Sequence, residues 1–548
     1  MRDANLYRLM RRRFPADLDQ PCLMSPGGEH VSYRTLDARS AKIAHAMIAA
    51  GCRPGDRVAA QVEKSVTAVC LYLACLRAGF VYLPLNTGYQ QRELAYFLSD
   101  AKPRVVVCVP DAITSITAIA APTTRVFTLD GSDQGSLINE IRMCFEEFDP
   151  VPTKGSDLAA ILYTSGTTGR SKGAMLSHDN LASNALTLVD YWSFTPTDVL
   201  YHALPIYHVH GLFVALHCVL LSGSKAWFCP KFDVTQALAL LPHSTVMMGV
   251  PTFYSRLLAA KNFTRNQCGA VRLFISGSAP LLPETFTSFQ ERTGQRILER
   301  YGMTETGMNT SNPLIGDRIA GTVGPPLPGV GVRVVGEDGA ALPPEEIGAI
   351  EVKGSNVFSG YWQMPEKTKE EFTADGFFRT GDLGKFLPNR YLQIVGRAKD
   401  LIITGGLNVY PKEIEELIDA IPGVVESAVI GIQHPDLGEA VTAVVVPHPG
   451  AKISGNTIIS ELKPLLARFK MPKFVYIVQE LPRNAMGKVQ KNVLREKYEQ
   501  YRANVPAKRC GFEFESRSQR TFNSNFPTCF PDSSIACAAT TSSKAKTL

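Results

Sequence analysis

Eleven consecutive residues, Tyr163-Thr-Ser-Gly-Thr-Thr-Gly-Arg-Ser-Lys172-Gly173, follow directly on the apolar run Leu158 to Leu162. Hydroxyls at Thr164, Ser165, Thr167, Thr168 and Ser171, with Gly166, Gly169 and Gly173, would let backbone N–H groups and side-chain donors wrap a polyphosphate while Lys172 supplies charge. The spacing is not that of a Walker A loop, which needs a Gly-Lys pair, whereas here Lys172 follows Ser171. A second polar turn, Tyr301-Gly-Met-Thr-Glu-Thr306, offers the carboxylate of Glu305, and a hard cation bridging phosphates usually takes only one or two carboxylates. Other positions stay open when read from residue types alone. Asp382, in Thr380-Gly381-Asp382, suits a turn former; Arg397 suits a surface ion pair; Lys488, in a glycine-flanked polar turn, suits a solvent-facing lysine. His208 and His210 form an HxH in an apolar stretch, which reads as packing rather than as a metal pair.

These groups sit at the ends of elements whose order can be read from periodicity. From about residue 35 to 310, short apolar runs such as Val105 to Val109, Ala159 to Tyr163, Val199 to Leu204, Thr245 to Val250 and Val271 to Ser276 alternate with stretches of helical period. That rhythm predicts crossover units on parallel sheets covered on both faces, with function collected in loops at the strands' carboxyl ends. Between about 320 and 396 the pattern becomes short alternating strands, for example Val330 to Val335 and Ala349 to Lys353, which predicts a small antiparallel unit. After Arg397, Pro411 opens a helix over Lys412 to Ile421, and strands follow at Val425 to Ile432, Glu439 to Val446 and Phe474 to Val478. The fold class expected is α/β: a large domain over residues 1–396 with mostly parallel sheets flanked by helices and a small β unit, then a smaller, mobile α+β domain over 397–505. Residues 506–548, rich in Ser, Thr and charge, read as a disordered tail.

Composition narrows the function classes. At 548 residues, 45% hydrophobic and 20% charged, the chain is a multidomain protein with ample core. The net charge of +6 falls by half once the tail is set aside, which weakens a nucleic-acid reading. The longest apolar run, Gly211 to Leu221, is interrupted by His217 and is too short to span a bilayer, which needs about 20 residues. The cysteines are scattered without a CxxC pair, as expected in a reducing compartment. Near the amino end, Leu6, Leu9, Met10 and Phe14 lie at helical spacing among arginines, but Asp3, Asp17 and Asp19 argue against a transit peptide, and a surface helix is expected. The expected location is cytoplasmic, and no protein partner is evident.

The phosphate-loop segment, together with Tyr301-Gly-Met-Thr-Glu-Thr306, Thr380-Gly-Asp382, Gly396-Arg-Ala-Lys-Asp400 and Pro482-Arg-Asn-Ala-Met-Gly-Lys488, resembles the adenylate-forming superfamily of acyl-CoA synthetases, luciferases and peptide-synthetase adenylation domains. All five motifs occur in the family's order over about residues 5 to 500. The resemblance implies an enzyme using ATP, Mg2+ and coenzyme A. It implies that Thr164, Ser165, Gly166, Thr167, Thr168, Gly169 and Lys172 hold phosphates, that Glu305 holds the metal, that Thr304 contacts the α-phosphate, and that Tyr301 lies against adenine. Asp382 would accept hydrogen bonds from the ribose hydroxyls, and Arg397 would contact ribose and phosphate. Lys488 would bridge the attacking carboxylate and the α-phosphate. Lys399 matches the hinge about which the small domain rotates between half-reactions, and Gly405 and Gly406 would then line a channel for the pantetheine arm.

The stretches Leu204-Pro-Ile-Tyr-His208, Pro230-Lys-Phe-Asp233, Met247-Met-Gly-Val-Pro251 and Ser276-Gly-Ser-Ala279 resemble malonyl-CoA synthetases more closely than acetate or long-chain enzymes. A dicarboxylic acid needs a cation for its second carboxylate, and Arg256 is the candidate; the resemblance implies that it binds the distal carboxylate with help from Ser278 and His208. The reading is ligation of malonate, with methylmalonate as a credible second substrate. Another short or aryl acid is the alternative, and a nucleotide-binding regulatory protein without turnover is the alternative from another class.

Overall fold

Strong alternation of β-branched runs with amphipathic helices produces two parallel-rich sheets in the computed structural model, which describes residues 3–164, 171–405, 407–434, 437–484 and 487–503. One sheet of six strands runs Arg125–Thr128, Val105–Cys108, Arg57–Gln61, Val81–Pro84, Leu158–Thr164, Lys172–Ser177, and all its pairs are parallel except the last. The other, of eight strands, runs Gly307–Ser311, Ile297–Met303, Leu273–Ser276, Val246–Gly249, Val199–His202, Lys225–Phe228, Pro21–Met24, His30–Ser32, with antiparallel pairs at its two edges. Strands such as Val81–Pro84 and Val246–Gly249 are buried throughout, as covered parallel strands must be.

Two internal elements explain why the sheets hold together. The helix Val66–Ala78 is buried from Thr67 to Ala78, which fits its nearly all-round apolar sequence. The apolar run that began at Gly211 is not a single α-helix: His210–Leu216 is a π-helix that continues as the α-helix His217–Ser222, and both are buried. Tyr72 pairs with Nε2 of His217 at 2.8 Å, so one ring nitrogen of the histidine that interrupts the apolar run is satisfied from the neighbouring helix, while its buried Nδ1 has no partner among the described residues. At the amino end the short helix Leu6–Arg11 buries Leu6, Tyr7 and Met10, and Asn5 caps it. Among the described residues no helix is long and apolar enough to cross a membrane.

The antiparallel unit has four strands, Val330–Val335, Gly348–Gly354, Phe378–Phe386 and Leu392–Arg397. Here the structure corrects one expectation. Asp382 does not lie in a turn: Thr380, Gly381 and Asp382 are inside the strand Phe378–Phe386, where Gly381 takes φ +70° and kinks the chain. Beyond Arg397 a second unit has its own core, with strands Ile402–Thr404, Leu407–Val409, Val424–His434, Gly438–Pro447 and Phe474–Ile477 and helices Pro411–Asp419, Gly455–Leu462 and Lys491–Ala503. The tail over 506–548 lies outside the described residues.

Candidate active site

Around Asp382, sheet register does the positioning. Asp382 stands directly opposite Arg397 across the antiparallel pair, and Arg397 Nε donates to Asp382 Oδ1 at 2.6 Å. Tyr301, at the carboxyl end of Ile297–Met303, donates its hydroxyl to Asp382 Oδ2 at 2.5 Å. Asp382 is only 4% exposed, so both its oxygens are satisfied in a buried setting. Burial, then the Asp382 carboxylate, raises the Tyr301 pKa far above its ordinary value and keeps the phenol protonated as a donor.

Thr304 and Glu305 occupy the turn between the strands Ile297–Met303 and Gly307–Ser311. That turn is tight: a Cβ at Gly302 would lie 2.1 Å from the Gly307 carbonyl oxygen. Glu305 is buried, and Tyr361 (3.2 Å) and Thr164 (3.4 Å) both donate hydroxyls to its Oε1. Its pKa is raised by burial, against the lowering pull of Tyr361, Arg397 and Lys172. One carboxylate ringed by hydroxyls is a hard-oxygen donor set that fits Mg2+ when phosphates complete the shell. Lys172 opens its strand at 7% exposure, with its ammonium 4.3 Å from the Tyr361 ring and 3.3 Å from Glu371. Ser165, Gly166, Thr167, Thr168, Gly169 and Gly406 lie outside the described residues.

The small unit brings Lys488 to this place. Its surroundings include Arg397, Asp382, Lys399 and Asp400, and its pKa is lowered first by the protein that replaces water around it and then by Arg397, with Asp382 opposing. The residue nevertheless keeps solvent access. The turn that carries it packs on the large unit: a Cβ at Gly487 would sit 3.4 Å from the side chain of Thr252. The chain between the units is anchored on each side, by Arg397 to Asp382 in the four-stranded sheet and by Asp400 to Arg495 of the terminal helix at 2.7 Å. Between these anchors stand only Ala398 and Lys399, both exposed. Gly405 lies at the exposed tip of the hairpin joining Ile402–Thr404 to Leu407–Val409.

The acid end differs from expectation. Arg256 lies on the helix Pro251–Ala259, which starts at the carboxyl edge of the eight-stranded sheet, but it is exposed and makes no ion pair among the described residues. The helix buries Phe253, Tyr254 and Leu257, and this leaves Arg256 one turn beyond Thr252 on the stripe that meets the Lys488 turn. A cation that the sequence reading missed is buried instead. Arg300, in the strand before Tyr301, is 4% exposed, and its Nε and Nη2 have no hydrogen-bond partner among the described residues. Its guanidinium lies against Gly277, where a Cβ would be 2.4 Å from Arg300 Cζ. Burial pulls its pKa down to about 9, which leaves it charged at neutral pH.

Histidines surround this cation. His208 Nδ1 accepts from the His210 backbone N–H at 3.2 Å, which places the proton of the neutral ring on Nε2. Burial, then Arg300, holds the His208 pKa down at about 4, and the same causes hold His210 lower than its ordinary value. His210 Nδ1 pairs with Ser278 Oγ at 3.1 Å, its Nε2 has no described partner, and Ser278 itself sits at φ +71°. Behind them Lys64 donates to His202 Nδ1 and to the His202 carbonyl, each at 2.9 Å, while His202 Nε2 holds the Gly211 carbonyl of the π-helix. On the opposite face of Arg300's strand, Glu299 has a buried Oε1 without a partner among the described residues, and burial raises its pKa to about 7. The strand Ile-Leu-Glu-Arg-Tyr held the signal: two adjacent charges in an otherwise buried strand are costly unless they serve a ligand.

Known proteins show the same architecture. Residues 11–362 match the family model described as AMP-binding enzyme, and residues 413–488 match the AMP-binding enzyme C-terminal domain. The mitochondrial malonate–CoA ligase of Mus musculus is 36% identical over 526 residues, covering 87% of this chain and 88% of that protein. The crystal structure of ATP-bound MatB from Rhodopseudomonas palustris is 57% identical and superposes with a TM-score of 0.90, covering 91% of this chain and all of that one. The apo form of the same protein, at equal identity and coverage, gives 0.80. The chain belongs to the AMP-binding enzyme family.

Proposed function

We propose that this protein ligates malonate to coenzyme A through a malonyl-adenylate, with cleavage of ATP to AMP and pyrophosphate. The observation that carries the choice of acid is Arg300, a buried guanidinium with unpaired donors beside His208 and His210. A second carboxylate would satisfy it with a planar, charge-assisted fork, and a monocarboxylate such as acetate would leave it orphaned. The neutral rings of His208 and His210 add donors without adding a competing anion, and Ser278 is tied to His210. Arg256, on the cleft-facing stripe, serves at the mouth of the pocket. Methylmalonate, which alters only the middle carbon, is the next substrate expected.

In the first half-reaction a carboxylate oxygen attacks the α-phosphorus, and the bond to pyrophosphate breaks. Lys488 lies between the two anions and offsets their repulsion. Asp382 accepts hydrogen bonds from the ribose hydroxyls, Arg397 holds ribose and phosphate, and Tyr301 lies against adenine. Thr304 meets the α-phosphate, and the 164–172 loop holds the rest. Magnesium, held by Glu305, would neutralise phosphate charge. In the second half-reaction the thiol sulfur attacks the carbonyl carbon and AMP leaves, after rotation about Lys399 has withdrawn Lys488 and brought Gly405 and Gly406 inward. The two ion pairs that bracket Ala398 and Lys399 support that pivot.

ATP- and CoA-dependent AMP release, measured with acetate, malonate, methylmalonate and succinate, tests the reading. Malonate should exceed acetate in kcat/KM by about 10³-fold or more. Equal turnover of the two acids refutes the choice of acid, and no AMP release with any of the four refutes the ligase reading.

A further inference from the structure

We propose that Glu371 is a parking carboxylate for Lys172: it holds the phosphate-loop lysine while the cleft lacks a nucleotide and releases it to an arriving polyphosphate, thereby competing with ATP and pyrophosphate. The inference rests on reading Lys172 as a phosphate ligand.

Lys172 is almost wholly buried, and a buried ammonium needs an anion. It finds Glu371 Oε1 at 3.3 Å, on a different element, the last residue of the helix Pro365–Glu371. A carboxylate is disfavoured at a helix carboxyl end, so the helix itself does not account for Glu371. The approach is fixed by backbone pairing: Trp362 N–H donates to the Gly173 carbonyl at 2.7 Å, and Met175 N–H donates to that of Gly360 at 2.9 Å. Glu371 also has a second cation, since Lys367 lies 3.2 Å away, and Lys367 in turn pairs with Glu370 at 2.9 Å. Departure of Lys172 therefore leaves no orphaned carboxylate. Tyr361 steers the exchange, because its ring covers the Lys172 ammonium at 4.3 Å while its hydroxyl donates to Glu305.

Calorimetric titration of the full-length protein with ATP and with inorganic pyrophosphate, each in magnesium chloride, tests this. Glu371→Gln, isosteric and partly exposed, should tighten both ligands by about threefold to tenfold. Lys367→Met, which leaves Lys172 as the remaining close cation of Glu371, should weaken both. In a Lys172→Met background Glu371→Gln should have no effect. Unchanged or weaker binding by Glu371→Gln overturns the proposal, as does equal tightening in the Lys172→Met background, which would reflect general charge removal. If Lys172→Met alone leaves ATP affinity intact, the phosphate reading of that lysine fails first.

Discussion

Around the proposed nucleotide site, Asp382 is paired through both oxygens with Arg397 and Tyr301, whereas around the proposed acid site Arg300 and His210 hold buried donor or acceptor atoms without partners among the described residues. The first arrangement is stable before any ligand arrives. The second keeps an unmet electrostatic demand that one kind of ligand can meet. Adenosine recognition is common to any acid this fold might activate, so its ligands can be paired in advance by sheet register. Discrimination between acids needs a group that suffers when the wrong acid binds, and a buried guanidinium is such a group. The difference teaches that stability and selectivity are carried by neighbouring residues of one strand end, Tyr301 and Arg300.

Breaking each side should therefore give opposite results. The largest effect is expected at Lys488, which the proposed mechanism sets between the acid and the α-phosphate: Lys488→Ala should reduce adenylate formation by about 10²- to 10³-fold while thioester formation from preformed malonyl-adenylate stays within about threefold. Single-turnover assays of each half-reaction check it, and equal loss in both would remove Lys488 from the first step. Asp382→Ala leaves Arg397 and Tyr301 without their partner, so thermal unfolding should show a loss of about 2–3 kcal/mol together with weaker ATP binding. Arg300→Met should do the reverse, raising stability by about 1–3 kcal/mol because an unpaired buried charge is replaced by an apolar side chain of similar length. A destabilised Arg300→Met protein would mean that the guanidinium is paired after all. Arg256→Ala, at an exposed position, should lower malonate kcat/KM by less than about tenfold.

The smallest effect expected is with pH. His208 has its pKa held down at about 4, so it stays neutral at ordinary assay pH, and malonate kcat/KM should show no histidine step near 6.5. Lys488 has a lowered pKa, and in the proposed mechanism its charged form is the active one, so adenylate formation should fall as pH rises through a value below that of an ordinary lysine. The thioester half-reaction should lack that limb. Stopped assays of each half-reaction across pH separate the two.

Much of this was legible in the residues because it is local. The segments 163–173, 301–306 and 482–488 are continuous stretches whose chemistry travels with their spacing, and the parallel strands announce themselves by apolar runs bounded by turns. Asp382 was read in a turn because Gly381 marks one; the strand that contains it is set by pairing with Leu392–Arg397, which lies outside any local window. Arg256 looked like the acid's cation because it follows a strand and an aromatic turn, yet exposure depends on which stripe of the helix is buried. Arg300 was passed over because its meaning comes from His208, His210 and Gly277, residues distant in sequence. The π-helix His210–Leu216 has no period that separates it from an α-helix in so short a run.

The most direct test measures kcat/KM for malonate and for acetate in the unmodified protein and in Arg300→Met. The ratio should be about 10³ or more in the first and collapse to about 10 or less in the second, with acetate turnover unchanged or improved and ATP affinity retained. A ratio that survives the substitution would contradict the assignment of the buried guanidinium to the second carboxylate.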